Sequence, residues 1–202
     1  MKKSKYIIID NGHGIDTNGK RSPVWPDCSQ LLEWEFNRDI ANRLKEQLKV
    51  FQIYSVLLVP EIEDISLEER CRRANKITDH YKELGHDTIL ISIHANAGVG
   101  TGWECFTTPG TTRSDAMATI MYQKAEQLFP KGTRIRKDNS DGDPDKESQF
   151  YILKHTKCPA ILTENFFMDN ESDCKLLMTD NFRELIARVH ADAIREIIKQ
   201  NL

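Results

Sequence analysis

The chain has 202 residues, of which 29% are charged, and its formal net charge is -3. It has no basic excess of the kind that binds nucleic acid or an anionic membrane surface. No apolar run approaches the length of a bilayer span, and the run Tyr6–Ile9 is too short for a signal-peptide core. The five cysteines include no Cys-x-x-Cys pair, which argues against a disulfide framework or a zinc knuckle. We expect one domain covering residues 1–202, monomeric, without a nucleic-acid partner or membrane insertion.

Hydrophobic periodicity predicts an alternation of strands and helices along the chain. The predicted strands are 5–10, 53–59, 88–97, 103–107, 150–153 and 160–163. The predicted helices are 31–50, 66–84, 112–129 and 182–198, and the loosest region is 137–147. The run from Thr88 is almost continuously aliphatic, which is typical of a strand buried on both faces. The order of elements predicts an α/β fold, a three-layer sandwich with a mostly parallel, mixed central sheet flanked by helices.

The predicted helix at 31–50 carries an acidic residue on its apolar face. At 100° per residue, Glu33 and Asn37 lie on the same side of the helix as Ile40 and Leu44. A carboxylate that points inward needs a hydrogen-bonding set, a cation or a metal as its partner. A first-turn glutamate stabilised by the helix dipole is the simpler interpretation when this residue is considered alone.

Four polar side chains are predicted to converge at one edge of the sheet. His13, His94 and Glu164 each follow a predicted strand, and Glu33 begins the helix after the first strand. The carboxyl ends of strands in such sheets are where ligands bind. Two histidines and a glutamate form a known ligand set for catalytic zinc with an open fourth position. Glu164 then remains free to act as the general base and proton shuttle.

Other catalytic signatures are absent from the sequence. It contains no Gly-x-Ser-x-Gly nucleophile elbow and no His-Glu-x-x-His helix. The segment Gly12–Gly14 is too short to be a phosphate-binding loop. The acidic segment Asp138–Asp145 does not keep the spacing of an EF-hand calcium loop and is better explained as a solvated loop.

Several sequence blocks occur in the order in which one enzyme family carries them. They are Asp10-Asn-Gly-His-Gly14, Glu33 with Asn37, Leu67 and Arg70 with Ala74-Asn75, Ser92-Ile-His-Ala-Asn96, Gly102-Trp-Glu104, and Pro159-Ala-Ile-Leu-Thr-Glu164 with Phe167 and Asn170. With these blocks the chain resembles, over nearly its whole length, the catalytic domain of zinc-dependent N-acetylmuramoyl-L-alanine amidases. The sequence differs from the family pattern at two places. Asn11 stands where the family has proline, and Asn165-Phe166 where it usually has a small residue after the catalytic glutamate.

The resemblance implies a metal site, a reaction and a substrate. His13, Glu33 and His94 would bind Zn²⁺, and the Glu-x-x-x-Asn block selects Glu33 over Glu35. Glu164 would be the catalytic residue that moves a proton from water to the leaving alanine nitrogen. The substrate would be peptidoglycan, cleaved between N-acetylmuramic acid and L-alanine. Arg70 and Asn96 would be structural, whereas Trp25, Trp103 and Phe166 could either line the groove or belong to the core.

Two alternatives remain open at this point. One is a zinc hydrolase that cleaves a different amide or peptide, and the other is a non-catalytic binder of cell-wall fragments. The absence of a signal peptide leads us to expect an endolysin-like enzyme of a phage or prophage, kept cytoplasmic until its release. An extracytoplasmic bacterial enzyme whose leader has been removed is the second possibility.

Overall fold

A computed structural model describes residues 4–202 and contains, within that range, six strands and six helices. The strands are β1 Lys5–Asn11, β2 Ser55–Leu57, β3 Asp87–Asn96, β4 Trp103–Thr107, β5 Lys146–Glu147 and β6 Ala160–Phe167. The helices are α1 Glu33–Val50, α2 Leu67–Glu83, α3 Arg113–Leu128, α4 Tyr151–His155, α5 Glu171–Leu177 and α6 Asp180–Gln200. Among the helices of residues 4–202, none combines the length and the apolar composition that crossing a membrane requires.

The strands form one mixed sheet in the order β2-β1-β3-β6-β4-β5. The pairs β1–β2, β1–β3 and β3–β6 are parallel, whereas β4 runs antiparallel to β6 and β5 runs parallel to β4. Helices α1, α3, α5 and α6 pack on one face, and α2 and α4 pack on the other. The predicted three-layer α/β sandwich with a mostly parallel, mixed sheet is therefore confirmed.

The central strand β3 shows why its sequence is almost continuously apolar. Ile89, Ile91 and Ile93 point into the larger core under α1 and α6, and Leu90 points into the smaller core under α2. Because side chains alternate between the two faces of a strand, Ser92 and His94 share the face of Leu90. The carboxyl end of the face covered by α2 therefore carries polar groups where helices no longer cover the sheet.

The prediction of a strand at 150–153 is wrong, because this segment begins helix α4. The amides of Leu153 and Lys154 both donate to the carbonyl of Phe150, which closes a helical turn. Ile152 and Leu153 are buried against α2. An apolar run of four residues does not distinguish a strand from one turn of a buried helix by periodicity.

The remaining differences concern short elements and boundaries. Helix α5 was not predicted, although Asn170 caps it by accepting from the Asp173 amide at 3.1 Å. The two-residue strand β5 lies inside the region 137–147 that was predicted to be loose. Strand β6 continues to Phe167, so Glu164 lies within the strand rather than after it. The cap of α2 at Ser66 is confirmed, since its hydroxyl accepts from the Glu69 amide at 3.3 Å.

Candidate metal centre and active site

Three side chains that were predicted to meet do meet at the carboxyl edge of the sheet. Donor atoms of His13, Glu33 and His94 all lie within 4.8 Å of one another. Oε1 of Glu33 is 3.3 Å from Nε2 of His13 and 3.1 Å from Nδ1 of His94. The two imidazole rings meet edge to face with their centroids 5.0 Å apart. Glu33 therefore lies at the centre of the cluster and contacts both histidines.

Glu33 is held in place from its own helix and from the neighbouring strand. It is the first residue of α1 and only 1% exposed, as the apolar periodicity of the helix predicted. Its Oε1 accepts from the Ala95 amide at 3.3 Å and from Nδ2 of Asn37 at 3.4 Å. Asn37 also donates to the Gly12 carbonyl at 3.0 Å, which ties the loop after β1 to α1. The Glu33–Asn37 spacing thus joins two parts of the cluster.

The loop after β1 needs a glycine where it passes His94. A Cβ atom on Gly12 would lie 2.0 Å from Cε1 of His94, so any larger residue would displace that ring. The next residue, His13, has a left-handed backbone with φ of 66°. This conformation is uncommon for a residue other than glycine and is often found at functional sites, where the surrounding structure maintains it.

The donor set fits a zinc ion in number, type and spacing. Two ligand atoms at about 2.1 Å from a tetrahedral zinc lie roughly 3.4 Å apart, which is close to the 3.3 Å and 3.1 Å between Glu33 Oε1 and the histidine nitrogens. Among the described residues, the buried Oε2 of Glu33 has no hydrogen-bond partner, and the buried Nε2 of His13 has none besides its 3.3 Å contact with Oε1 of Glu33. Buried polar atoms without hydrogen-bond partners are uncommon, and many of them bind an ion or a water molecule. These observations support a metal site composed of two histidines and one glutamate.

Glu164 lies beside this cluster on the adjacent strand. It is the register partner of His94 in the parallel pair β3–β6, so the two side chains share one face of the sheet. Its Oε2 atom is buried and lacks a hydrogen-bond partner among residues 4–202. A carboxylate in this position is free to exchange a proton with a molecule bound at the metal cluster.

The two buried carboxyl groups have pKa values that are shifted in opposite directions. Burial opposes ionisation of Glu33, but hydrogen bonds and charges from His13 and His94 outweigh it and hold the pKa of Glu33 below its usual range. Burial raises the pKa of Glu164 to about 7, although His94 acts in the opposite direction. A permanently ionised ligand and a carboxyl group poised near neutrality are the pair that metal-assisted proton transfer requires.

Arg70 supports the loop that presents His13 and also lines the cavity beside that histidine. It is 2% exposed, and its Nη1 donates to Oδ1 of Asp10 at 2.6 Å and to the Asn11 carbonyl at 2.9 Å. Nη2 donates to the His13 carbonyl at 3.4 Å. The prediction that Arg70 has a structural part agrees with these contacts, because they fix the loop that presents His13.

A cavity of about 350 Å³ opens beside His13 and His94, and Ile65 and Ile152 contribute to its walls. Two of the three aromatic candidates do not line a groove. Trp103 and Phe166 are 0% and 3% exposed and belong to the larger core. Trp25 packs on the edge of that core and donates to Sγ of Cys174 at 3.2 Å.

A further ionic cluster near Glu164 was not assigned a role from the sequence. Glu104 of β4 is the antiparallel register partner of Glu164 and is 3% exposed. Its Oε2 accepts from Nε of Arg136 at 2.7 Å and lies 2.7 Å from Nζ of Lys146. The Gly102–Glu104 block pointed to the glutamate, but the cations are distant in sequence and belong to a segment without periodicity.

Comparisons with known proteins agree with this geometry. Residues 7–196 match the family model for N-acetylmuramoyl-L-alanine amidase. The chain is 32% identical over 191 residues to the N-acetylmuramoyl-L-alanine amidase CwlM of Bacillus licheniformis, covering 93% of this chain and 66% of that protein. It is 27% identical over 198 residues to the endolysin of Bacillus phage SPP1, covering 96% of this chain and 66% of that protein. The chain thus spans about two thirds of the length of these relatives.

The fold also occurs in solved structures. The crystal structure of N-acetylmuramoyl-L-alanine amidase from Clostridium difficile 630 superposes with a TM-score of 0.79 at 22% identity, covering 98% of each chain. At this identity the likeness shows a shared fold. The family match, which extends over most of the sequence, shows more: the chain belongs to the N-acetylmuramoyl-L-alanine amidases, cell-wall hydrolases that are generally zinc-dependent.

Proposed function

We propose that residues 1–202 form a single catalytic domain that hydrolyses the amide bond between N-acetylmuramic acid and L-alanine in peptidoglycan, with zinc as its cofactor. The observation that carries this proposal is the position of Glu164. The carboxyl group of Glu164, whose buried Oε2 atom has no hydrogen-bond partner among the described residues, lies in register with His94, beside two histidines and a glutamate spaced as zinc ligands. Residues 1–3 of this domain lie outside the described residues.

Each side chain has a separate part in the proposed reaction. His13, Glu33 and His94 would hold the ion, and bound zinc would supply a Lewis acid that polarises the amide carbonyl and acidifies water. Glu164 takes a proton from the attacking water and delivers it to the leaving nitrogen of alanine. Glu33 stays ionised throughout, because its pKa is held below the usual range. The products are a muramic acid glycan and a stem peptide with a free amino terminus.

The test is a digestion of purified peptidoglycan with products identified by mass spectrometry. We expect released peptides that begin with L-alanine, no release after treatment with a chelator, and recovery on addition of Zn²⁺. Metal content of the purified protein is measured in parallel. The variant Glu164→Gln is expected to retain zinc and to release no peptides, whereas His94→Asn is expected to lose both zinc and activity.

Matched controls separate the proposal from the two alternatives. His80 is an exposed histidine on α2, so His80→Asn should change neither metal content nor activity. A zinc-loaded protein that cleaves no peptidoglycan would point instead to a hydrolase of another amide. A protein that binds peptidoglycan fragments without zinc and without cleavage would point to a binder, and the donor set of the site argues against that outcome.

The place of action follows from the substrate, and the route to it has two candidates. We propose that the protein is a monomer that acts on the cell wall and does not insert into the membrane. Both candidate routes have counterparts among its relatives, which include a bacterial amidase and a phage endolysin. We favour release from the cytoplasm of a lysing host. Appearance of the protein outside intact, growing cells would contradict this route, and a dimer in size-exclusion chromatography would contradict the monomer.

A further inference from the structure

Ionisable side chains continue from the metal cluster across the sheet. His94 on β3 is in register with Glu164 on β6, and Glu164 is in register with Glu104 on β4. Residues in register on paired strands point to the same face of a sheet. The metal cluster, the proposed base and Glu104 therefore form one row along the face that α2 and α4 leave uncovered at this end.

Two cations lie at the far end of this row on a single carboxylate. Arg136 and Lys146 both contact Oε2 of Glu104 at 2.7 Å, whereas Oε1 accepts from Nδ2 of Asn96 at 2.5 Å. Glu104 is almost fully buried, but the side chains of Arg136 and Lys146 are 27% and 26% exposed. Glu104 alone balances only one of these two charges, and Lys146 also interacts with the exposed carboxylate of Asp138.

Both cations are held in fixed orientations. The guanidinium of Arg136 stacks on the ring of Phe167 at 5.1 Å and uses Nε for Glu104, which leaves its terminal nitrogens for another partner. The ammonium of Lys146 lies 5.8 Å from the ring centroid of Phe106. A planar guanidinium whose orientation is fixed in this way is suited to bind a carboxylate through two parallel hydrogen bonds.

The spacing along the row agrees with the dimensions of the proposed substrate. Adjacent strands lie about 4.8 Å apart, so Glu104 is roughly 10 Å from His94 across β6. When the peptide is extended, the α-carboxyl carbon of its second residue lies roughly 7 Å from the scissile carbonyl carbon. The muramic acid side of the bond is uncharged, because its lactyl carboxyl group forms the amide itself. A cationic subsite therefore fits the peptide side.

We propose that Arg136 and Lys146 form a specificity subsite that binds the α-carboxylate of the second residue of the stem peptide, a glutamate that is joined onward through its side chain. This inference rests on the proposed amidase function and deepens it. Glu104 and Asn96 are positioning residues, since they hold the two cations and would not touch the substrate. An α-carboxamide in place of the carboxylate loses the charge that the subsite recognises.

The test compares two synthetic muramoyl dipeptides, N-acetylmuramoyl-L-alanyl-D-glutamate derivatives in which the γ-carboxyl group is capped as a methylamide. One has a free α-carboxylate and the other an α-carboxamide. We expect the zinc-loaded wild-type protein to hydrolyse the carboxylate form with a kcat/KM about tenfold higher, mainly through KM, because charge-assisted hydrogen bonds bind it more tightly. Arg136→Gln and Lys146→Gln should each lower kcat/KM for the carboxylate form about tenfold. For the carboxamide form, both variants should have a kcat/KM within about twofold of the wild-type value.

The carboxamide substrate and two further variants control for structural damage. Each single substitution leaves Glu104 with one cation. Arg136→Lys keeps the charge but loses the paired hydrogen bonds, so it should keep a preference for the carboxylate form that is smaller than in the wild-type protein. Lys137→Gln removes a neighbouring cation that pairs with Glu126 at 2.6 Å. This variant should leave kcat/KM unchanged for both substrates.

Each other outcome overturns the inference. Equal hydrolysis of both forms by the wild-type protein would overturn the subsite and would leave the proposed amidase function unaffected. If Arg136→Gln and Lys146→Gln hydrolysed neither the carboxylate form nor the carboxamide form, the two cations would serve only to neutralise Glu104. Hydrolysis of neither form would contradict the proposed function, and the subsite would fall with it.

Discussion

Two clusters of buried polar side chains lie next to each other at the carboxyl edge of the sheet, and they differ in how well their atoms are paired. In the lower cluster, Arg70 makes five hydrogen bonds, and both carboxylate oxygens of Asp10 accept, one from Arg70 and one from Ser92. In the upper cluster, the buried Oε2 atoms of Glu33 and Glu164 have no hydrogen-bond partner among the described residues, and Nε2 of His13 has only its 3.3 Å contact with Glu33. The difference separates a supporting network from a binding site.

Pairing of this kind has opposite consequences for stability and for chemistry. When one partner of a fully hydrogen-bonded, buried ion pair is removed, the folded protein is strongly destabilised. A buried atom without a partner contributes nothing comparable and becomes useful when a ligand arrives. The upper cluster should therefore respond to mutation in activity and the lower cluster in folding, and four experiments test this contrast.

The largest effect is expected from Glu164→Gln. This substitution keeps the size of the side chain and removes the group that moves the proton, so kcat for peptidoglycan should fall about 10³-fold. The free energy of unfolding at pH 8 should not fall, because burial raises the pKa of Glu164 to about 7 and ionising it there opposes folding. Urea unfolding and peptide release measured on the same preparation would test both parts. A strongly destabilised variant with normal activity would reverse the assignment.

The complementary substitution is Arg70→Ala in the lower cluster. It leaves the Asp10 carboxylate buried without its cation, so the free energy of unfolding should fall by about 3–5 kcal/mol. The double variant Asp10→Asn with Arg70→Met removes both charges and should recover a large part of that loss. The control is Arg72→Ala, since Arg72 is 66% exposed and its pair with Glu69 is solvated; little change is expected. Urea unfolding at pH 7 gives all three values.

Histidines show the same contrast in their pKa values. Burial opposes charging of His94, but its hydrogen bond to Glu33 and the charges of Glu164, Glu33 and Asp10 together outweigh burial and raise the pKa of His94. His190 on α6 is fully buried, contacts the Thr163 hydroxyl at 2.9 Å and the Ile186 carbonyl at 2.8 Å, and burial lowers its pKa to about 4. His94 therefore belongs to an ionic site, whereas His190 is a neutral part of the core.

The pH dependence of the unfolding free energy should reveal the protonation of His190. Below pH 6.5 the unfolded chain binds a proton at this histidine that the folded protein does not bind until about pH 4. Its contribution is therefore complete above pH 6.5 and is lost as the pH falls, by about 3 kcal/mol at pH 4. The measurement is the difference in unfolding free energy between wild type and His190→Asn from pH 8 to pH 4. A difference that does not shrink with acidification would show that His190 does not titrate in this way.

The fold was predictable wherever one segment had a long and consistent pattern. The periodicity of α1 and the apolar run of β3 identified both elements, and the aliphatic segment 160–163 located β6. The wrong strand at 150–153 and the missed helix α5 are short, and tertiary packing decides their conformation. Ile152 becomes helical because it packs under α2, and no local pattern of four residues contains that information.

The metal cluster was predictable for a topological reason, and the cationic subsite was not. His13 follows β1, and His94 and Glu164 lie in the carboxyl-terminal halves of β3 and β6, which meet at one edge in any parallel sheet. Arg136 and Lys146 reach Glu104 from an irregular segment and from a two-residue strand. Their position depends on how β4 and β5 reverse direction beside β6, which requires the structure. Asn96 belonged to a recognised block, but its contact with Glu104 could not be inferred either.

The smallest effect is expected where the supporting and binding parts meet, at Asn37. Its amide donates to Glu33 Oε1 at 3.4 Å and to the Gly12 carbonyl at 3.0 Å, so it orients a ligand without being one. Asn37→Ala should weaken zinc affinity about tenfold, because groups that orient metal ligands typically contribute that much. The matched control is Asn75→Ala, whose amide contacts the backbones of His155 and Lys157 instead. Competition with a zinc chelator measures both variants, and equal affinities in the two would show that Glu33 is held by α1 and the Ala95 amide alone.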